Sequence, residues 1–157
     1  MDEPRWLDER EQRAWRGLMK MQAGLSEYME RQLRTRGGLS MADYQVLAHL
    51  SEAPEGRLRS FALGDALKWE KSRLSQHLTR MQNRNLIHRE RCATDQRGAV
   101  IGITEQGRTL IEAAAPLHAA DVRNALIDHM TPAQMDLLSE LGDQVEARLA
   151  EIGREAG

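Results

Sequence analysis

The chain has 157 residues, of which 41% are hydrophobic and 29% charged, with a formal net charge of −2. This length suits one buried core and is short for two independent domains, so we expect a single domain over residues 1–157. No apolar run reaches the length of a membrane span and no export signal opens the chain, so we expect a cytoplasmic protein. The single cysteine, Cys92, excludes an intrachain disulfide.

Charge is unevenly distributed along the chain. Between Arg57 and Arg97, ten lysines and arginines stand against four acidic residues, so this segment carries +6 and the remainder carries −8. Phosphate binding needs a basic surface, which the average charge of the whole chain hides. The basic middle therefore suggests one segment that faces a polyanion.

The first predicted elements are two helices. Apolar residues recur every three or four positions over residues 14–33 and predict a first helix, which Gly37 and Gly38 end. Ser40 is the expected cap of a second helix, which stops at the Pro-Glu-Gly sequence of residues 54–56.

A helix-turn-helix follows. After a linker at residues 57–59, Ser60 is the expected cap of a third helix that ends at Leu67. Only three residues, 68–70, separate Leu67 from an amphipathic run whose predicted inward positions are Leu74, Leu78 and Met81. This is a helix-turn-helix spacing. The run ends near Asn85, which tolerates the left-handed conformation.

Two β-prone segments come next, at residues 86–92 and 99–104, and the turn-like sequence between them predicts a β-hairpin wing. Another helix then begins at Thr104 and extends to about residue 130, with Pro116 as a bend. Thr131 and Gln134 form a capping-box pattern that starts the last helix. The predicted fold class is therefore mainly α with a small β-hairpin wing.

The first helix and the last two helices carry apolar faces that the segment between them does not need to form its own core. An exposed apolar stripe of this size is a liability, so we expect these helices to pack together and against a second copy of the chain. The interpretation assigns residues 40–104 to a winged helix-turn-helix and residues 5–36 and 105–153 to dimerisation.

The helix after the turn is the candidate reader of DNA. Its polar face suits the major groove, where arginine pairs with guanine and glutamine with adenine, so Arg73 and Gln76 are the expected base readers. Lys71 and Arg80 suit phosphates. The whole set of expected DNA contacts on this helix is Lys71, Ser72, Arg73, Ser75, Gln76, His77 and Arg80. The alternative is an ordinary solvated helix face.

The order of these elements resembles a known family. Gly38-Leu39-Ser40, the helix-turn-helix, a wing with Asp95-x-Arg97-Gly98 and the closing sequence Ile103-Thr104-Glu105-Gln106-Gly107 are similar to the MarR family of winged-helix repressors. The resemblance covers nearly the whole chain. It implies a two-fold dimer that binds a pseudo-palindromic operator in double-stranded DNA, with release in many members by a small aromatic ligand.

By the same resemblance, Arg97 is the wing-tip arginine that enters the minor groove, and Asp95 orients it or braces the turn. A narrow minor groove concentrates negative potential and attracts arginine, which agrees with this role. The alternative is an Asp-x-Arg-Gly turn without a partner. Asn85 stands where the family usually has glycine.

Other residues bear on ligand, metal and redox chemistry. Trp15, Met19 and His49 suit a flat effector, although such residues are more often core. Five histidines lack a metal-binding spacing, so we expect neither a metal nor a cofactor. Arg89 and Arg91 would lower the pKa of the Cys92 thiol, and the alternative is an inert thiol.

Two other function classes fit this sequence less well. A winged-helix module that binds protein would need an apolar surface where this recognition face is basic and polar. A small α-helical enzyme would need a catalytic motif, and neither a phosphate-binding glycine loop nor a nucleophile elbow occurs in the sequence. The sequence therefore predicts a regulator and not an enzyme.

Overall fold

The computed structural model describes residues 4–91 and 98–155. The elements in chain order are α1 (Glu9–Gly37), α2 (Met41–Glu52), β1 (Arg57–Arg59), α3 (Ser60–Leu67), α4 (Lys71–Asn83), β2 (Ile87–Arg91), β3 (Ala99–Ile103), α5 (Glu105–Ala125) and α6 (Pro132–Glu155). The chain forms two compact units, Met1–Ala119 and Ala120–Gly157.

Local capping sets the ends of the first two helices. Gly38 ends α1 in the left-handed conformation with φ of 65°, and its N–H donates to the Arg34 carbonyl. Ser40 caps α2 through its hydroxyl, which accepts from the Asp43 N–H at 2.9 Å, while the Asp43 carboxylate accepts from the Ser40 N–H at 3.0 Å. Both predicted boundaries are confirmed because each depends on neighbouring residues alone.

The wing is a three-stranded sheet and not the isolated hairpin that the sequence predicts. Residues 57–59, expected to be a linker, form β1, and the antiparallel order is β1-β3-β2. Leu58 and Arg89 both pair with Ile101, from opposite sides of β3. β1 forms because it completes the hydrogen bonding of β3, which a run of three residues does not reveal by pattern.

One hydrophobic core lies within the first unit and joins the helix-turn-helix to the sheet. Its members come from the α1–α2 loop, α2, α3, α4, the turn before β2, the sheet and the first half of α5: Leu39, Val46, Leu47, Leu50, Leu63, Leu74, Leu78, Met81, Leu86, Ile87, Ile101 and Ile111. Each fully buried side chain of this kind stabilises the fold by roughly 1.5–3 kcal/mol. The predicted inward face of α4 is therefore confirmed.

The turn between α3 and α4 is held by the backbone. Lys68 takes the left-handed conformation with φ of 55°, and the Trp69 N–H donates to the Gly64 carbonyl at 3.0 Å. Ser60 is the first residue of α3 and not its cap; Arg59 occupies the cap without a side-chain hydrogen bond. With Arg59, the last residue of β1, at the cap position, the helix starts one residue earlier than a cap at Ser60 would require.

The Thr-x-x-Gly sequence joins α5 to the helix-turn-helix. The Thr104 hydroxyl accepts from the Gly107 N–H at 2.9 Å and donates to the Asn85 carbonyl at 2.7 Å. Gly107 lies so close to the Leu86 carbonyl oxygen that a Cβ there would overlap it. Asn85 has φ of 58°, so asparagine does fill the left-handed position.

In the second unit, α5 ends at Ala125, earlier than predicted, and a 3₁₀ turn spans Ile127–His129. The Arg123 guanidinium contacts the Asp128 carboxylate at 2.7 Å across this turn. The predicted capping box of α6 is confirmed, because the Gln134 N–H donates to the Thr131 hydroxyl and the Thr131 N–H to the Gln134 side chain. In the first unit, α5 continues through Pro116.

Candidate nucleic-acid interface

The outward face of α4 is polar and exposed. Leu74 and Leu78 are 4% and 2% exposed and attach the helix to the core. The opposite face presents Lys71, Ser72, Arg73, Ser75, Gln76, Thr79 and Arg80, all exposed. Glu70 occupies the N-cap position but makes no capping hydrogen bond with its side chain. The start of α4 therefore projects short and long polar side chains together.

A groove of about 840 Å³ lies beside the first turns of α4, between α3 and the sheet. Its lining residues come from α3, the turn, α4, the wing strands and Gly98: Ser60, Phe61, Gly64, Asp65, Lys68, Trp69, Glu70, Lys71, Leu74, Ser75, Leu78, Arg89, Gly98, Ala99 and Ile101. Three of these side chains are cationic and two are acidic. The groove thus continues the polar surface of α4 towards the wing.

Arg73 lies against an aromatic ring. Its guanidinium carbon is 4.4 Å from the centre of the Trp69 ring, within the range of a cation–π contact. Trp69 is half-buried in the turn, whereas Arg73 is exposed. The predicted base reader therefore has a defined neighbour in the free protein.

His77, predicted to contact DNA, faces inward instead. It is 9% exposed, and its Nε2 lies 3.0 Å from Oδ1 of Asp43. Its Nδ1 lies 3.2 Å from the Arg80 guanidinium. His77 falls three residues after Leu74 and one before Leu78, so it shares their inward face and does not belong to the outer polar face.

Asp43 is the centre of a buried polar cluster. It is 3% exposed, and its Oδ2 accepts from the Arg84 guanidinium at 2.7 Å. Arg84 also donates to the Gly38 carbonyl at 3.1 Å. Burial by itself raises the pKa of Asp43, but hydrogen bonds from His77, Arg84 and the Ser40 N–H outweigh burial and hold that pKa well below its usual range. The cluster ties both the middle of α4 and its C-terminal end to the start of α2.

Several cations of the basic segment are engaged within the protein. Arg57 pairs with Glu90 at 3.1 Å across the sheet, and Arg89 donates to the Ser75 carbonyl at 2.6 Å. Arg84 belongs to the Asp43 cluster. The +6 charge therefore serves partly to hold α4 and the wing in place, and only part of it faces outward.

The wing tip falls outside the described residues. Asp95 and Arg97, the predicted minor-groove pair, lie there together with Cys92. The strands on both sides are described, and Gly98 follows with φ of 118°. The roles of these three residues stay predictions.

The three predicted effector residues lie on two helices. Trp15 and Met19 are 55% and 36% exposed on α1, and His49 is half-buried on α2. None of them lines the groove beside α4. In residues 4–91 and 98–155 no three metal-ligating side chains cluster, and no helix there is long and apolar enough to cross a membrane.

Sequence reasoning missed the residues that support α4. Asp43 had a usable signal, since Ser40-x-x-Asp43 follows a capping-box pattern, but its contact with Arg84 joins residues 41 positions apart. Trp69 could be noticed as an aromatic in a three-residue turn. The bond from Arg89 to the backbone of α4 depends on the sheet and had no local signal.

Three comparisons bear on identity. The family model described as transcriptional regulator SarA/Rot matches residues 29–114. The structure of AbsC, a MarR family transcriptional regulator from Streptomyces coelicolor, is 36% identical, with a TM-score of 0.88 and coverage of 94% of this chain and 99% of that chain.

Sco3205, another MarR family regulator from Streptomyces coelicolor, was solved in complex with DNA. It is 35% identical over 93% of this chain and 91% of that chain, with a TM-score of 0.88. The transcriptional regulator HosA of Escherichia coli O127:H6 is 27% identical over 103 residues, which are 66% of this chain and 74% of HosA. These relatives are transcriptional regulators and not enzymes.

Proposed function

Because the chain belongs to the MarR family of winged-helix transcriptional regulators, we propose that it binds a pseudo-palindromic operator in double-stranded DNA as a homodimer and represses transcription there. The observation that carries this proposal is the exposed polar face of α4, which presents Lys71, Arg73 and Arg80 beside the groove. One similar regulator, at 35% identity, was solved in complex with DNA. Occupation of a site at a promoter excludes the polymerase, so we expect repression.

On α4, we assign Arg73 and Gln76 to base edges in the major groove. The planar guanidinium and the amide offer the paired donors and acceptors that distinguish guanine and adenine. Ser72 and Ser75 are short enough to let the helix approach the bases. Lys71, at the first turn, is assigned to phosphate.

Arg80 is assigned to phosphate near the other end of α4, where it is exposed. Its contact with Nδ1 of His77 at 3.2 Å limits how far its guanidinium turns. For Arg97 and Asp95, the minor-groove role rests on the family resemblance and on the attraction of a narrow groove for arginine.

Apolar residues on the terminal helices support a homodimer. Leu141, Val145 and Leu149 of α6 are 47%, 56% and 62% exposed and follow one another at four-residue intervals. On α1, Trp15 and Leu18 are also about half exposed, at 55% and 47%. A stripe of this kind marks an association surface, and two-fold dimers are the commonest oligomers. We assign residues 5–36 and 105–153 to dimerisation and 40–104 to DNA binding.

The test begins by selecting duplexes from a random library with the wild-type protein. Arg73→Ala or Gln76→Ala should then weaken binding to the selected duplex by about 1–3 kcal/mol per half-site and should weaken binding to scrambled DNA less. Arg97→Ala should weaken binding to both duplexes equally and should reduce the slope of log K against log salt concentration by about one.

Arg154→Ala, at the end of α6, is the charge-matched control and should leave the affinity for both duplexes unchanged. If Arg97→Ala erased sequence preference while Arg73→Ala and Gln76→Ala kept it, the assigned roles would be reversed. A reporter placed behind the selected site should be expressed less when the protein is present. Higher expression would identify an activator.

We further propose that a small aromatic ligand binds at Trp15, Met19 and His49. An indole and a thioether are polarisable surfaces for a flat ring, and His49 adds a polar group. Salicylate is a suitable probe, followed by tryptophan fluorescence and by release of the selected duplex. Fluorescence changes that persist in Trp15→Leu, or the lack of any effect on the duplex, would contradict this site.

A further inference from the structure

A row of side chains connects the interior of the protein to the expected base reader. Oδ1 of Asp43 lies 3.0 Å from Nε2 of His77. The His77 ring meets Trp69 in an edge-to-face arrangement, with centroids 5.4 Å apart and planes at 88°. The Arg73 guanidinium then lies over the same indole at 4.4 Å. The exposure of these side chains rises from the buried Asp43 to the exposed Arg73.

The inner end of this row is fixed firmly. Asp43 receives the Arg84 guanidinium at 2.7 Å and the Ser40 N–H at 3.0 Å, so its carboxylate has one orientation. His77 is buried against that carboxylate. A buried ring with one nitrogen 3.0 Å from a fixed carboxylate presents a constant edge to its neighbour.

Trp69 is fixed by its backbone as well as by His77. Its N–H donates to the Gly64 carbonyl at 3.0 Å, and the preceding Lys68 has φ of 55°. The indole is half-buried and is packed against the hydrophobic core. Its face is therefore a stationary platform at the surface.

Arg73 benefits most from such a platform. A free arginine side chain loses much rotamer entropy when it binds, whereas a guanidinium already stacked on a ring loses less. Stacking uses the flat face of the guanidinium and leaves its N–H donors at the edge for a base.

We propose that Asp43, His77 and Trp69 are positioning residues that hold Arg73 over the indole and so preorganise base recognition by α4. This inference rests on the proposed DNA binding. A purely structural role for Trp69 would affect stability and all DNA binding alike. A positioning role instead predicts that variants of these residues lose sequence preference selectively, and only when Arg73 is present.

The first experiment needs no DNA. The side-chain Nε–H resonance of Arg73, assigned with Arg73→Lys in ¹⁵N-labelled protein, should be shifted upfield by the indole ring. Trp69→Leu should abolish the shift, Trp69→Phe should retain part of it, and His77→Gln should reduce it. Trp6→Leu applies the same chemical change at a side chain that is 83% exposed and should leave the shift unchanged.

The second experiment measures binding of the selected and scrambled duplexes. Trp69→Leu should reduce the preference for the selected duplex by about threefold to tenfold per half-site, with little change on scrambled DNA. Trp69→Phe should recover part of the preference. In an Arg73→Ala background, Trp69→Leu should have no further effect, because the side chain that it positions is gone.

Three results would overturn the positioning role: an unshifted Arg73 resonance, an equal loss on both duplexes, or full additivity of Trp69→Leu with Arg73→Ala. Trp69→Phe keeps the test decisive if Trp69→Leu does not fold. Failure of the wild-type protein to select any duplex, with the resonance still shifted, would instead overturn the proposed DNA binding and the base-recognition role with it. The two failures are therefore distinguishable.

Discussion

Removing the carboxylate of Asp43 perturbs the cluster that ties α4 to α2. Asp43→Ala leaves His77, Arg84 and the Ser40 N–H without their shared acceptor. Breaking a buried pair typically costs about 3–5 kcal/mol. Since the Arg84 side chain is 44% exposed and regains water, we expect Asp43→Ala to lower the free energy of unfolding by about 3 kcal/mol. This loss corresponds to a fall in Tm of roughly 6–12 °C. Asp43→Asn still accepts from Ser40 and should cost less, about 2 kcal/mol.

The stability that the Asp43 carboxylate contributes should decrease as the pH falls. The pKa of Asp43 is lowered in the folded protein, so its contribution is complete above the unfolded value of about 3.9 and is lost as pH falls through the folded value. The difference in unfolding free energy between wild type and Asp43→Asn should therefore be largest at pH 5 and shrink below about pH 4. Within residues 4–91 and 98–155, the charged or titratable groups that contact this carboxylate are His77 and Arg84.

Urea unfolding followed by circular dichroism gives this difference. Protomer concentration must be equal in all samples, because dimerisation contributes to the measured stability. Asp143→Asn, an exposed acid on α6, is the control and should change stability little. A cost below about 1 kcal/mol for Asp43→Ala, or a difference that grows in acid, would refute the reasoning.

Three further substitutions test other parts of the fold. Gly107→Ala places a Cβ against the Leu86 carbonyl and should lower the free energy of unfolding by at least about 2 kcal/mol. The control Gly37→Ala meets nothing within 4 Å and should leave stability unchanged or raise it slightly. Equal melting temperatures of the two variants would contradict this. Asn85→Ala should cost about 1 kcal/mol in urea at the left-handed φ of 58°, and Asn85→Gly less; the reverse order would argue against backbone strain. Leu141→Asp should dissociate the dimer in sedimentation equilibrium, and a wild type that is monomeric at micromolar concentration would exclude the dimer.

Local signals predicted the parts of the fold that depend on neighbouring residues. Ser40 and Thr131 are caps, and Asn85 takes the left-handed conformation, because each involves backbone groups within a few positions. The helix-turn-helix followed from periodicity, since burial of Leu74 and Leu78 requires only that α4 be amphipathic.

Long-range contacts account for most of what the sequence did not predict. β1 exists because β3 offers it hydrogen-bonding partners, and three residues at positions 57–59 carry no pattern of their own. His77 was assigned by its polarity to the outer face, although its spacing from Leu74 and Met81 places it inside. The pairing of its ring with Asp43 compensates the burial of a polar side chain, and that partner lies in another helix.

One titration tests most directly whether α4 reads DNA sequence. Fluorescence anisotropy would compare the wild-type affinity for the selected duplex and for a scrambled duplex of equal length at several salt concentrations. We expect a preference of at least about a thousandfold near physiological salt, which Arg73→Ala and Gln76→Ala each reduce. Equal affinity for both duplexes, or a preference that survives both substitutions, would contradict the account.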